Sequence, residues 1–225
     1  MSFFKKLFGQ NNKTESNKSE KKDFEVITDP ELNKKFDEDL EKIKTGKVDK
    51  VYPILKPGDW VGIKAGALRQ NLIGDKENPK LVVGFGYDAP NNFVFLNYSD
   101  YQEREKLEQL VGQAYENLHN FEVTLNEVVP NKVIIIDGQD FCSEKILDTK
   151  FMKALQDKMG GDKLVVSIPR RRCMMVTNAF EEDGIFEQFL SVHNKTWNDE
   201  SYGNPQIINS LFVVKNGEID MVKDL

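Results

Sequence analysis

Only Cys142 and Cys173 occur in 225 residues, and the two histidines, His119 and His193, stand far from them and from each other. A transition-metal site draws several such ligands together at short spacing, and neither C-x-x-C nor H-E-x-x-H occurs, so neither a metal nor a cofactor is expected. Thiols outside any paired motif fit a reducing compartment, which points to the cytoplasm. No stretch approaches the roughly 18 consecutive apolar residues of a membrane span. The longest, such as Val133 to Ile136, are strand-sized. Export is not expected either. In Phe3-Phe4-Lys5-Lys6-Leu7-Phe8 the lysines sit mid-segment, and polar Gln10 to Lys13 follow where an apolar core should come. The phosphate-binding G-x-x-x-x-G-K-[ST] loop is also absent.

What is present describes a globular chain with its charge unevenly spread. Hydrophobic residues make up 39% and charged residues 30%, enough for a core and a solvated surface. The net charge is -6, yet residues 1–22 carry six lysines against Glu15 and Glu20, net +4, which leaves -10 for residues 23–225. Affinity for nucleic acid comes mainly from neutralising phosphates, so an acidic body of this kind argues against DNA or RNA as partner. Residues 10–23 hold no apolar side chain and read as a linker. The expected organisation is a flexible basic tail over 1–23 and a single α+β body over 24–225, with a sub-boundary near 120 as the alternative. In the tail, Phe3, Phe4, Leu7 and Phe8 would share one face of a helix beside Lys5 and Lys6. That face suits a weak membrane or partner contact, or docking on the chain's own body.

Periodicity and turn chemistry then set out the elements. Asp29-Pro30 is a helix start, with Leu32, Phe36, Leu40 and Ile43 at helical spacing up to Thr45-Gly46. Trp60 to Lys64 reads as a short strand, and Ala67 to Ile73 is ambiguous. Leu81 to Gly86 and Phe93 to Tyr98 read as a hairpin about Asp88 to Asn92. Ser99 with Gln102 resembles a capping box before the stripe Leu107, Leu110, Val111, Ala114 and Leu118. Phe121, Val123 and Leu125 alternate like a strand, and Val133 to Ile136 reads as a buried one. A helix with Ile146, Leu147, Phe151, Leu155 and Met159 inward follows, stopped by Gly160-Gly161. Leu164 to Ile168 and Cys173 to Thr177 flank a Pro169 to Arg172 corner. Phe186, Phe189, Leu190, His193 and Trp197 mark a further helix, and Asn216-Gly217 marks a closing hairpin. Hairpins outnumber crossovers, which predicts a largely antiparallel or mixed sheet packed against three or more helices.

Candidate chemistry is sparse. Gly84-Phe85-Gly86-Tyr87-Asp88-Ala89 matches G-x-G-x-x-A, but a turn and a new strand follow where a dinucleotide site needs a helix N-terminus, so strand glycines at a bend explain it better. Cys173 follows three arginines that would acidify an exposed thiol, yet it opens an apolar strand. His193 lies on an apolar helical stripe and reads as a core-edge histidine or a weak site candidate. The runs Asp37-Glu38-Asp39 and Glu181-Glu182-Asp183 read as solvated surface. The most informative charges are Arg170, Arg171 and Arg172, three cations at a tight corner of an acidic body. They repel one another unless salt bridges or a bound anion offset them, and strand alternation turns Arg171 away from its neighbours.

The helix end Ala114-Tyr115-Glu116-Asn117-Leu118, the strand ending in Asp137, the helix after it, and Leu164-Val165-Val166-Ser167-Ile168-Pro169-Arg170-Arg171 together resemble the bacterial YtpQ-like family of uncharacterised proteins. The likeness runs roughly from Ser99 to Leu225. Pro169 and Arg171 match the family's strand corner, and Arg172 stands where the family has an acid. The resemblance implies an α+β fold and a cytoplasmic protein, and brings no reaction with it. From the residues, the leading function is a non-catalytic binding or adaptor protein, with Arg170, Arg171, Arg172 and His193 as candidates to meet an anionic small molecule or a protein partner. A small-molecule enzyme is the alternative.

Overall fold

The computed structural model describes residues 29–101, 103–180 and 184–225. The basic tail with Phe3, Phe4, Leu7 and Phe8, the linker, Gln102 and the Glu181 to Asp183 run lie outside the described residues. Among those described, five α-helices accompany two antiparallel sheets, an α+β architecture. The helices are α1 (Pro30–Lys44), α2 (Val61–Lys64), α3 (Arg104–Asn120), α4 (Thr149–Met159) and α5 (Ile185–Asn198).

The first sheet comes from β1 (Val51–Pro57), β2 (Arg69–Gly74), β3 (Pro79–Asp88) and β4 (Phe93–Phe95). β3 is central, with β1 on one side and β2 and β4 in tandem on the other. The edge of β1 is closed in an unusual way. Pairing directs the backbone groups of Tyr52, Ile54 and Lys56 toward β3 and those of residues 53, 55 and 57 toward the open edge. Pro53 and Pro57 have no N–H to leave unpaired, which is where a sheet tolerates proline. Leu55 N–H, between the two prolines, is bonded at 3.0 Å by the buried Glu144 carboxylate, and Val51 O accepts the Asn117 side chain at 2.9 Å.

The second sheet has the order β10-β9-β7-β8-β6-β5, built from β5 (Asn126–Val129), β6 (Val133–Asp137), β7 (Leu164–Ser167), β8 (Cys173–Thr177), β9 (Ser210–Lys215) and β10 (Glu218–Asp224). Both faces are covered, which is why its central strands read as continuous apolar runs. Ile134, Ile136, Val166, Met174 and Phe212 join Leu55, Val83 and Phe85 of the first sheet and Met152 and Leu155 of α4 in one core. On the opposite face Val133, Val165, Cys173 and Met175 pack against Phe189 of α5. The first sheet lies wholly before α3 and the second wholly after it, but one core cluster draws on both.

Several local expectations change. Trp60 to Lys64 is a helical turn, because the Trp60 ring lies over Gly62 so closely that any side chain there would collide with it. Phe121 to Leu125 forms no strand; the Gln139 side chain holds Thr124 through both its N–H (2.7 Å) and its carbonyl (2.8 Å), as a neighbouring strand would. The capping box is Asn97 with Asp100 around a 3-10 turn, and α3 starts at Arg104. Asp39, expected on the surface, is fully buried. Its carboxylate accepts Asn91 N (3.1 Å), Asn91 Nδ2 (3.0 Å) and Asn92 Nδ2 (3.0 Å) from the β3–β4 turn. Burial opposes its charge, and the bonds from Asn92 and Asn91, with Lys42 beside it, outweigh that and hold the carboxyl below its usual range. Leu32 and Phe36 of the same helix stay exposed, at 49% and 42%.

Candidate functional site

The arginine corner joins β7 to β8, and its three side chains go to three different places. Arg170 is buried and forks across carbonyls: Nε to Thr196 O (2.6 Å), Nη2 to Trp197 O (2.7 Å) and Nη1 to Asn204 O (2.9 Å). Thr196 and Trp197 belong to the last turn of α5, whose carbonyls have no partner within the helix, so the guanidinium caps the negative end of that helix. Tyr202 lies under the guanidinium at 5.8 Å. Arg172 has a left-handed backbone, φ 59°, and pairs with Asp140. Its Nε is buried without a hydrogen-bond partner among the described residues. Arg171 is half-buried and, among the described residues, its side chain makes no hydrogen bond and no ion pair, although its backbone N–H is held by Pro205 O at 3.0 Å.

His193 lies apart from the arginines. It is fully buried between Ser167 Oγ at 2.6 Å and Asn209 Oδ1 at 2.9 Å. Asn209 Oδ1 can only accept, so Nε2–H donates to it and the Ser167 hydroxyl donates to Nδ1, which makes the ring neutral. Burial pushes its pKa down accordingly. A serine, a histidine and an amide in line resemble a nucleophilic relay, but Ser167 and His193 are both wholly buried, so no substrate reaches the hydroxyl. Cys173 is buried too, and burial raises its pKa, the reverse of activation by the neighbouring arginines. Of the four candidates, Arg171 and Arg172 share a site, and Arg170 and His193 hold α5 in place.

That site is a cleft of about 650 Å³ where the β3–β4 turn meets the arginine corner. Its lining is mixed: Lys47, Asp49, Lys50, Asp88, Asn91, Asn92, Asp140, Arg171 and Arg172 together with the apolar Val48, Ala89, Pro90 and Phe93. A larger depression of about 730 Å³ along α1 is formed by that helix's own residues, such as Asn33, Lys34 and Glu38, and gathers no converging chemistry. Around Arg171 the ionisable groups are displaced from their usual behaviour. Burial raises the Glu144 carboxyl, with Arg171 and Lys56 pulling partly the other way. Desolvation and then the Arg171 charge lower the pKa of Lys56. Asp88 is raised by desolvation and by repulsion from Asp140, against the pull of Arg171 and Arg172. Arg171 is the charge common to all three. Clusters of this kind mark functional sites more often than bland surface does.

The glycine pair finds its explanation here. Gly84 and Gly86 sit on one face of β3, where a side chain on Gly84 would lie 3.1 Å from the Phe95 ring and one on Gly86 would lie 2.6 Å from the Phe93 ring. Bare backbone is what admits these rings, and no helix N-terminus follows to hold a pyrophosphate. Trp60 lies tilted against Phe95 at 4.5 Å, and Phe93 meets Phe95 edge-on at 5.0 Å. Lys56 Nζ lies 5.7 Å from the Trp60 ring and 5.3 Å from Phe95. Behind Phe93, Phe141 stacks on Tyr52 at 4.1 Å and adopts φ 54°, a costly conformation for a bulky residue. Lys56 and Glu144 escaped the sequence reading, since a single lysine in an apolar strand and a single glutamate in a turn form no motif. The one signal is for Lys56, a charge inside the otherwise apolar segment Val51 to Pro57, whereas Glu144 stands between Ser143 and Lys145 and has none. No family model, no curated protein and no solved structure matches the chain, so the site stands on its own geometry.

Proposed function

We propose that this chain is a non-catalytic binding protein of the cytoplasm that captures an anionic group, on a small molecule or a protein partner, in the cleft beside Arg171. The observation that carries this reading is the division of labour at the corner. Arg170 is bonded to three carbonyls and Arg172 to Asp140, while Arg171 lines the cleft without a partner of its own among the described residues. A guanidinium held half-buried and unpaired favours a carboxylate or phosphate, which it binds through two parallel N–H bonds. Lys47 and Lys50 at the rim add attraction, and the volume falls in the range of small-ligand pockets, roughly 300–1,000 Å³. No helix among the described residues is long and apolar enough to cross a membrane. Kinship with the YtpQ-like family belongs to the same proposal.

The test is a thermal-shift and calorimetric titration of wild type and R171Q with inorganic phosphate, acetate and an acidic peptide. A ligand that binds the native state raises Tm, and R171Q should abolish the rise without lowering Tm in the absence of ligand. An unchanged rise in R171Q sinks the proposal. A second reading rests on the displaced pKa values: Asp88 raised and Lys56 lowered supply an acid and an amine base around one cation, the makings of a small-molecule enzyme. Turnover lost in both D88N and K56M would select it.

A further inference from the structure

We infer that the anion taken by the cleft is attached to a planar ring, so that the ligand class is an aromatic phosphate or carboxylate. The inference rests on the anion-binding reading above and adds the shape of the rest of the molecule. The lining of the cleft is mixed in kind. Besides the guanidinium and the other charged groups it includes four apolar residues, Val48, Ala89, Pro90 and Phe93. Phe93 is half-buried and fixed from behind, edge-on to Phe95 at 5.0 Å and tilted against Phe141 at 6.5 Å, so its position does not have to be organised when a ligand arrives.

An extended alkyl chain needs apolar surroundings on all sides, and Asp88, Asn91 and Asn92 deny it that. A flat ring is served by a lining that is only partly apolar, because its rim carries partial positive charge and tolerates oxygen acceptors. The cleft offers such acceptors. Asn91 and Asn92 both direct their side-chain N–H groups to buried Asp39, which fixes the amide orientation and leaves each side-chain carbonyl oxygen without a bond among the described residues. Asp39 thereby sets the polarity of the cleft from outside it. A guanidinium for the anion, Phe93 and Pro90 for a ring face, and amide oxygens for the ring edge together define the ligand.

Calorimetric titration with phenyl phosphate and with inorganic phosphate separates this inference from the reading beneath it. Wild type should bind phenyl phosphate about tenfold more tightly than inorganic phosphate, the scale of one added aromatic contact. F93L, which keeps an apolar side chain at the position, should remove that advantage and leave inorganic phosphate unaffected, whereas R171Q should abolish both. Equal affinity of wild type for the two probes overturns the ring inference while phosphate binding lost in R171Q upholds the anion site. An advantage that survives in F93L also overturns it. Binding of neither probe overturns the ring inference and the anion site together.

Discussion

Replacing Arg170 and Arg171 one at a time by alanine should separate two arginines that are neighbours in sequence into opposite roles. R170A withdraws donors from three carbonyls. Trp197 O keeps the Gln206 side chain at 2.8 Å, so Thr196 O and Asn204 O are the two left without a protein donor. Each under-satisfied carbonyl at these half-buried positions costs about 1–2 kcal/mol, which puts R170A at about 2–4 kcal/mol. For a chain of this length that is a Tm roughly 4–16 °C lower. R170K should recover little, since one ammonium cannot span three carbonyls set around a planar fork. R171A removes no protein hydrogen bond among the described residues and should stay within about 0.5 kcal/mol of wild type. R172A breaks a half-exposed pair with Asp140 and should cost about 0–1 kcal/mol. Urea unfolding followed by tryptophan fluorescence reads all four, and Trp197 stands at the end of the helix that Arg170 caps. A loss in R171A equal to that in R170A refutes the assignment of Arg171 to a ligand.

Two further outcomes follow from the same geometry. Burial raises the folded-state pKa of Glu144 above its unfolded value near 4.5, so its contribution to stability is fully present below that pH and is lost as pH rises through the folded value. E144Q, neutral throughout and still able to accept Leu55 N–H, should therefore gain on wild type between pH 4 and pH 8. E144A should lose about 1–3 kcal/mol by stranding that donor. A stability difference between E144Q and wild type that does not change with pH refutes the assignment. At the glycine pair, a side chain on Gly86 would lie 2.5 Å from Val94 O, a backbone atom, while one on Gly84 meets ring atoms no closer than 3.1 Å. G86A should thus cost about 2–3 kcal/mol and G84A less than about 1 kcal/mol, and equal losses in urea titrations would contradict the packing described.

How far the sequence discloses this molecule depends on the range of the interactions involved. Elements set by local chemistry are legible: the Asp29-Pro30 helix start, the Asn216-Gly217 turn with both residues at positive φ, and the arginine corner between two strands. Failures occur where a distant group substitutes for a local signal. Trp60 to Lys64 alternates like a strand, but the indole over Gly62 selects a helical turn, and Gln139 takes the place of a strand beside Thr124. Asp39 sits within an acidic run and gives no local hint that two asparagines some fifty residues onward will bury it. The arginine run stands out in the sequence as a candidate, but which guanidinium is unpaired depends on Thr196, Trp197, Asn204 and Asp140, and proximity in sequence to the corner marks none of these four.

The attachment of α1 has a consequence for how that helix comes away. With Asp39 its one buried residue, α1 is held at its centre by a polar clasp, and its undocking exposes little apolar surface. The heat capacity and denaturant dependence of an opening scale with the surface it uncovers, so calorimetry and urea titration would barely register such an event. Amide hydrogen exchange would register it, as loss of protection in α1 at denaturant concentrations where both sheets stay closed. Such a loss would mark the helix that orients the asparagines of the cleft as a separate thermodynamic unit, with its own equilibrium beneath the stability of the sheets.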